Sequence, residues 1–355
     1  MPATPPLVTV GMAVYNGQEY IAEALASVQA ETHGNWELLA VNDCSSDSSV
    51  DIIRSLGEPR IRLIENEENL GLVGVRNLIM QEARGTYVAW LDQDDLTFPD
   101  RLSRQVEYLE RNPGVSVCGS WTEIRIEQPD GSFARSLERL PSSHAELRAA
   151  MLFLNPIACN TVMMRREPFV SQGLAFRPEF GNSLDYDLWS VASDSLTLHN
   201  IPAALAAYRV HGTQTSRGAE LERMNGQALR IQSKLAERAL GIRMSDEDMR
   251  MHRLATVSPV VIEDPADLDA IERWLGRLRS ANETARAFDP EQFDRAVARQ
   301  WTTAALGWRA AGASAGQTLA RTAQGLRAIG VRRTAAVGSI AAGMRRRLAR
   351  RPTHR

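Results

Sequence analysis

Residues 7–43 read LVTVGMAVYNGQEYIAEALASVQAETHGNWELLAVND. Leu7 to Val14 is a mostly apolar run of strand length, Ile21, Leu25 and Val28 recur at helical spacing, and Glu37 to Val41 is a second apolar run. A strand, a helix and a strand in that order predict two parallel strands, because a chain that crosses over through a helix re-enters the sheet in the same direction. The alternation continues outward: Ser45 to Leu56 predicts a helix opened by capping residues, Ile61 to Glu65 a strand, Val73 to Ala83 a helix and Tyr87 to Leu91 a strand. The pattern predicts an α/β fold, a doubly wound, mostly parallel sheet flanked by helices. Ligands of such sheets bind outside the carboxyl ends of the strands. Tyr15, Asp43 and Asp92, close behind Val14, Val41 and Leu91, should therefore face one common site.

Farther along, Pro99 to Asn112 reads as a helix with proline near its start. Val115 to Gly119 and Thr122 to Glu127 read as strands, and Pro129, Asp130 and Gly131 as a turn, so the sheet is expected to continue with mixed strands. From Ala219 onward Glu, Arg, Ala and Leu dominate without a strong strand signal. We place the boundary near Ser216, giving an α/β domain over 1–216 and a helical region over 217–355.

A length of 355 residues with 44% hydrophobic and 24% charged residues is ordinary for globular domains, and a net charge of -2 argues against nucleic acid as a partner. Cys44, Cys118 and Cys159 are odd in number and form no CxxC pair, which fits a reducing compartment. Met1 to Pro6 lack the features of a signal peptide, and the longest weakly polar run, near Thr334 to Met344, is too short to span a bilayer. These features predict a cytoplasmic protein.

The charge is unevenly divided, since no Asp or Glu follows Asp294 while arginines continue to Arg355. Leu319, Ala323, Leu326, Val337, Ile340, Met344 and Leu348 fall near helical spacing, with arginines at 332, 333, 345, 346, 347, 350 and 351 as a basic complement. Two readings of this tail stand: a helix lying on an anionic membrane at its inner face, or a solvated arginine-rich end. Glycines at 316, 325, 330, 338 and 343 weaken the helix.

Asp92, Gln93, Asp94 and Asp95 crowd three carboxylates at the end of an apolar strand, an arrangement that a cation would relieve. A divalent metal, Mg²⁺ or Mn²⁺, takes oxygen ligands and leaves positions for phosphate oxygens. Alone, the cluster reads rather as an acidic turn capping the next helix. Tyr15 by itself is a strand-end aromatic and Asp43 a helix N-cap.

The order of four blocks changes these readings. VTVGMAVYNGQEYIAEALASV, LLAVNDCSSD, NLGLVGVRN and GTYVAWLDQDD together resemble glycosyltransferase family 2 of the GT-A fold, over about Leu7 to Ser216. The resemblance implies that Tyr15 stacks on a nucleotide base, that Asp43 accepts a base N–H, and that Arg76 lies beside the nucleotide with Asn77 supporting its loop. From the DxD motif it implies Asp94 as metal ligand and Asp92 at the ribose or at a water-mediated metal contact, with Asp95 a further candidate. Leu184, Asp185, Tyr186, Asp187, Leu188 and Trp189 resemble the family's Glu-Asp-x-Asp-Leu-Trp region, which implies Asp185 as the base of an inverting transfer and Asp187 as the alternative. Tyr208, Arg209, Val210, His211 and Gly212 resemble the segment closing the family's catalytic domain, which implies His211 at the metal or diphosphate.

The implied activity moves a sugar from a nucleotide donor, a UDP-sugar first, to a hydroxyl of a glycan or lipid-linked acceptor in cell-envelope polysaccharide synthesis. Leu184 stands where the family commonly has Glu, and Ala13 where it often has Pro. Those departures keep open a nucleotide-binding module without turnover. A sugar nucleotidyltransferase is a second rival, but no glycine-rich nucleotidyl-transfer loop occurs near Leu7 to Gly17.

Overall fold

The computed structural model describes residues 5–212, 219–256, 261–310 and 312–331. Its chain divides into two compact units, one ending at Leu147 and resuming over Pro156–Met224, the other made of Arg148–Asn155 and the chain from Asn225.

The first unit begins with β1 (Val8–Val14), α1 (Ile21–Gln29), β2 (Trp36–Asn42), α2 (Ser49–Ser55), β3 (Ile61–Glu65), α3 (Gly71–Glu82) and β4 (Tyr87–Trp90). These strands lie in the order β3-β2-β1-β4, all parallel, with Val14 opposite Asn42 and Gly11 opposite Trp90. α1 buries Ile21, Ala24, Leu25 and Val28, one helical face, into the core beneath. Gly11 admits α3 against the sheet, since a Cβ there would come within 2.6 Å of Ile79 Cγ2. α2 starts later than the sequence predicts because Ser45 to Asp47 are drawn into loop contacts. Asn16 Oδ1 accepts from the Ser46 N–H, and Asp47 Oδ2 accepts from the Gln18 N–H.

The sheet continues as β4-β8-β6-β9-β5, built from β5 (Leu96–Thr97), β6 (Val115–Glu127), β8 (Met163–Arg165) and β9 (Thr197–Val210), with β7 (Phe133–Glu138) paired to β6. β9 runs parallel to β6, whereas β8, β5 and β7 pair antiparallel. Helices α4 (Arg101–Arg111), α5 (His144–Met151), α6 (Arg166–Ser171) and α7 (Leu184–Ala192) complete the set in this stretch. The fold is the expected α/β class. β6 is one strand where two were expected; the interval at Ser120 and Trp121 marks a bulge, where its partner skips from Ile201 to Ala204 across Pro202.

The second unit is helical: α8 (Ala219–Leu240) leads into it, followed by α9 (Asp246–Thr256), α10 (Pro265–Ala285), α11 (Pro290–Ala310) and α12 (Ala315–Ile329). Its core holds Trp274, Leu275, Leu278 and Trp301. Gly325 of α12 sits on Trp301, whose ring a Cβ would meet at 2.2 Å, and Trp301 Nε1 donates to Thr322 O at 3.0 Å. His252 is fully buried, donating from Nε2 to Leu152 O at 2.9 Å and accepting at Nδ1 from Trp274 Nε1 at 3.1 Å. Burial lowers its pKa to about 4, so it is neutral at physiological pH.

No helix among the described residues is long and apolar enough to cross a membrane. Of the apolar stripe read in the tail, Leu326 is buried at 3% exposure, so it belongs to the core of the helical unit rather than to a membrane face, while Leu319 is exposed. Val337, Ile340, Met344, Leu348 and the tail arginines from 332 onward lie outside the described residues.

Candidate active site

Three strand exits bring the predicted residues together. After β1 the chain turns through Asn16, at φ 48°, leaving the Tyr15 side chain 53% exposed. Gln93, from the acidic turn after β4, clamps the Tyr15 backbone from both sides: its Oε1 accepts from the Tyr15 N–H at 3.0 Å and its Nε2 donates to the Tyr15 carbonyl at 2.9 Å. Gly17 makes room for that amide, because a Cβ there would lie 2.3 Å from Gln93 Oε1.

After β2 comes Asp43, 4% exposed. Its Oδ1 accepts from Asn66 Nδ2 and the Leu70 N–H, and its Oδ2 from the Gly71 N–H, each at 2.8 Å. Asp43 therefore caps α3, not the helix that follows it in sequence, by satisfying two N–H groups at the α3 N-terminus. A carboxylate offers about four acceptor positions, so these three bonds leave one on Oδ2.

After β4 the acidic turn opens with Asp92, whose Oδ1 accepts from Arg76 Nη2 at 2.7 Å. Arg76 is 5% exposed, with its guanidinium between the rings of Trp90 and Phe176 at 5.6 and 5.8 Å, and its Nη1 donates to Cys159 Sγ at 2.9 Å. Burial opposes its charge, but Cys159, Asp92 and Asp185 outweigh that and hold its pKa above the ordinary arginine value. The guanidinium expected beside the nucleotide is thus buried at 5% exposure and holds Asp92. Asn77 Nδ2 donates to Phe176 O at 2.9 Å and its Oδ1 accepts from the Phe176 N–H at 3.0 Å, which fixes the ring beside Arg76.

Asp94 Oδ2 and His211 Nε2 lie 3.1 Å apart, and the imidazole stacks on Tyr20 with centroids 4.2 Å apart. Burial and the charge of Asp92 raise the Asp94 carboxyl, with His211 opposing. Asp95 is fully buried and its Oδ1 accepts from the Arg209 backbone N–H at 2.9 Å. Burial, then the charges of Asp94 and Asp92, push its carboxyl well above the usual carboxylate range.

Asp185 stands half-buried in the first turn of α7, and its charge acts on both Arg76 and Cys159, which joins it to the Asp92 cluster. Leu184 is buried at 2% exposure. Asp187, also 2% exposed, is bound by the Arg177 fork, with Arg177 Nε at 2.7 Å from Oδ2 and Nη2 donating to Oδ1. The alternative base is therefore tied into an ion pair.

Among the described residues no three His, Cys, Asp or Glu side chains cluster as a complete metal site. The Asp94–His211 pair supplies one oxygen and one imidazole. That donor set fits a divalent ion whose remaining positions are filled by diphosphate and water, and a cation would offset the raised Asp94 and Asp95 carboxyls. Sequence reasoning missed Gln93 and Arg209 although both lie inside recognised segments, because nothing local shows what they hold. It also missed Cys159 and Phe176, whose partnerships with Arg76 and Asn77 span 83 and 99 residues.

A family model described as glycosyl transferase family 2 matches residues 9–172. An uncharacterised glycosyltransferase of Haemophilus influenzae is 34% identical over 218 residues, 59% of this chain and 68% of that protein. The Escherichia coli UDP-Glc:alpha-D-GlcNAc-diphosphoundecaprenol beta-1,3-glucosyltransferase WfaP is 30% identical over 215 residues, 59% of this chain and 80% of that one. The crystal structure of S. aureus TarS 1-349 superposes with a TM-score of 0.52 at 16% identity, covering 91% of this chain and 89% of its own, which shows a shared fold. With the four motif blocks on the strand exits of an α/β sheet, the chain belongs to glycosyltransferase family 2 and is a glycosyltransferase.

Proposed function

We propose that this enzyme transfers a sugar from a UDP-sugar to an acceptor hydroxyl with inversion at the anomeric carbon, in a reaction that depends on a divalent metal. The observation that carries the reading is the gathering of Asp92, the Asp94–His211 pair and Asp185 around one buried guanidinium and one acidic turn. Tyr15 stacks on the base and Asp43 accepts a base N–H at its remaining Oδ2 position. Asp92, oriented by Arg76, accepts a hydrogen bond from the ribose. Asp94 and His211 would hold Mn²⁺ or Mg²⁺, which when bound neutralises charge developing on the departing diphosphate. Asp95 acts behind them as a structural carboxyl.

Asp185 takes the proton of the acceptor hydroxyl as its oxygen bonds to the anomeric carbon and the bond to the nucleoside diphosphate breaks. Asp187 is held in the Arg177 ion pair and 2% exposed, whereas Asp185 is half-buried in the first turn of α7 beside the Asp92 cluster, which favours Asp185 as the base that exchanges a proton in the cycle. The acceptor class we favour is a lipid-linked glycan of the cell envelope, by analogy with the acceptor in the printed name of WfaP and with the Bacillus subtilis relative named for teichuronic acid biosynthesis. A lipid-linked acceptor gives the arginine-rich segment 332–355 a purpose at an anionic membrane surface.

The test is release of nucleoside diphosphate across a donor panel with and without Mn²⁺, for wild type, Asp94→Ala and Asp185→Ala, with the anomeric configuration of the product read by NMR. Metal-dependent release, lost in both variants, with an inverted product is the expected result. Nucleotide binding without release for any donor and acceptor would instead favour a binding module.

A further inference from the structure

Arg209 lies on β9 two residues before His211 and is 2% exposed. No step above uses it, yet it joins two segments, the acidic turn and the start of α1. Its backbone N–H donates to Asp95 Oδ1 at 2.9 Å, and its Nε donates to the Asp94 carbonyl. Its Nη1 donates to Glu23 Oε2 at 2.7 Å and its Nη2 to the Tyr20 carbonyl at 3.2 Å. The guanidinium also lies 5.0 Å from the centroid of the Tyr20 ring, the ring on which His211 stacks.

We infer that Arg209 is a positioning residue that sets the separation and orientation of Asp94 and His211, the pair assigned above to the metal, and the inference rests on that assignment. The planar fork directs separate donors along fixed lines, so one side chain fixes the carbonyl of Asp94 on one side and the residues beside Tyr20 on the other. His211 follows one residue beyond Val210, the end of that strand, and its ring is backed by the Tyr20 ring that the fork covers. Both metal-holding side chains are therefore referred to one rigid group. Glu23 anchors the fork from α1, although its own side chain is 69% exposed. An ion pair with a partner so exposed adds little to stability, which makes position, not folding energy, the role of that contact.

The experiment titrates Mn²⁺ against the full chain without any donor, following free Mn²⁺ by electron paramagnetic resonance, alongside thermal melts. The proteins are wild type, Asp94→Asn, Arg209→Lys and Glu23→Gln. Arg209→Lys keeps the charge and the backbone bond to Asp95 but loses the fork, and should weaken Mn²⁺ binding about 10–100-fold, as loss of groups that orient metal ligands does. Glu23→Gln should weaken it less, with an unchanged melt. Mn²⁺ affinity equal to wild type in Arg209→Lys overturns the inference. If the lysine variant does not fold, unchanged affinity in Glu23→Gln overturns it alone. A wild type that binds no Mn²⁺, or an Asp94→Asn that binds it equally well, overturns the metal assignment and this inference together.

Discussion

In the α/β unit the most deeply buried side chains include Asp95, Arg101 and Arg209, whereas the helical unit buries Trp274, Leu275, Leu278 and Trp301 around the uncharged ring of His252. Burying an ionisable group costs several kcal/mol unless partners offset it, while burying an aliphatic or aromatic side chain is favourable outright. A chain that keeps carboxyls and guanidiniums inside one unit and not to the same extent inside the other has located its chemistry. Capping boxes occur in both units, with Ser143 and Glu146 exchanging bonds at the start of α5 and Ser314 and Gln317 at the start of α12. Each unit can be perturbed separately to see whether this division holds.

The largest expected effect is in the site. Asp185→Asn should lower turnover by about 10²–10⁴-fold, the usual worth of a positioned base, while leaving the melting temperature close to wild type. Asp187→Asn should act in the opposite proportion, lowering stability by about 1–3 kcal/mol through its broken pair with Arg177. Retained turnover in Asp185→Asn together with lost turnover in folded Asp187→Asn would exchange their roles. In the helical unit, Leu275→Ala, fully buried, should cost about 2–5 kcal/mol, measured by denaturant unfolding, without changing turnover per folded molecule.

The two units should also answer pH with opposite signs. Burial raises Glu31 in the α/β unit from its ordinary 4.5 to about 7, with Thr97 and the Leu102 N–H opposing. The folded state then holds a proton that the unfolded state has released, so stability falls as pH rises from about 4.5 to about 7. The loss is on the order of 3 kcal/mol by linkage, and Glu31→Gln should remove it. His252 behaves inversely: its folded pKa of about 4 lies below the ordinary 6.5, so stability is lost as pH falls through that window. Melts of wild type, Glu31→Gln and His252→Gln between pH 4 and 8 separate the slopes. The smallest effect is expected from Ser314→Ala, about 1 kcal/mol from the lost cap, visible in the melt and silent in turnover.

Much of the parallel half of the sheet was legible because its signals are local. The runs at Val8–Val14 and Trp36–Asn42 and the helical spacing in α1 lie within a window that periodicity covers. β9 was not legible, since Pro202 and the alanines around Leu205 interrupt any alternation, and its pairing comes from β6 some eighty residues earlier in the chain. The site divides in the same way. Asp92 to Asp95 stand out as a cluster, but the Asp94–His211 approach spans 117 residues, and nothing near Arg76 in sequence shows that its guanidinium is surrounded by Asp92, Cys159, Trp90 and Phe176. The resemblance supplied the candidates; the fold shows which of them, such as Arg76 and Asn77, hold another residue in place.

Gln93 has a consequence for anyone redesigning the donor. Because its amide ties the backbone beneath Tyr15 to the turn that carries Asp94, the two ends of the proposed nucleotide pocket behave as marks on one ruler. On the proposed roles an inhibitor must match that span, so a compound lacking one phosphate would leave either the base or the charged end unread. Because Gln93 holds only backbone atoms of Tyr15, a library that varies the Tyr15 side chain leaves the tie to the turn in place, whereas one that varies Gln93 loosens both ends at once.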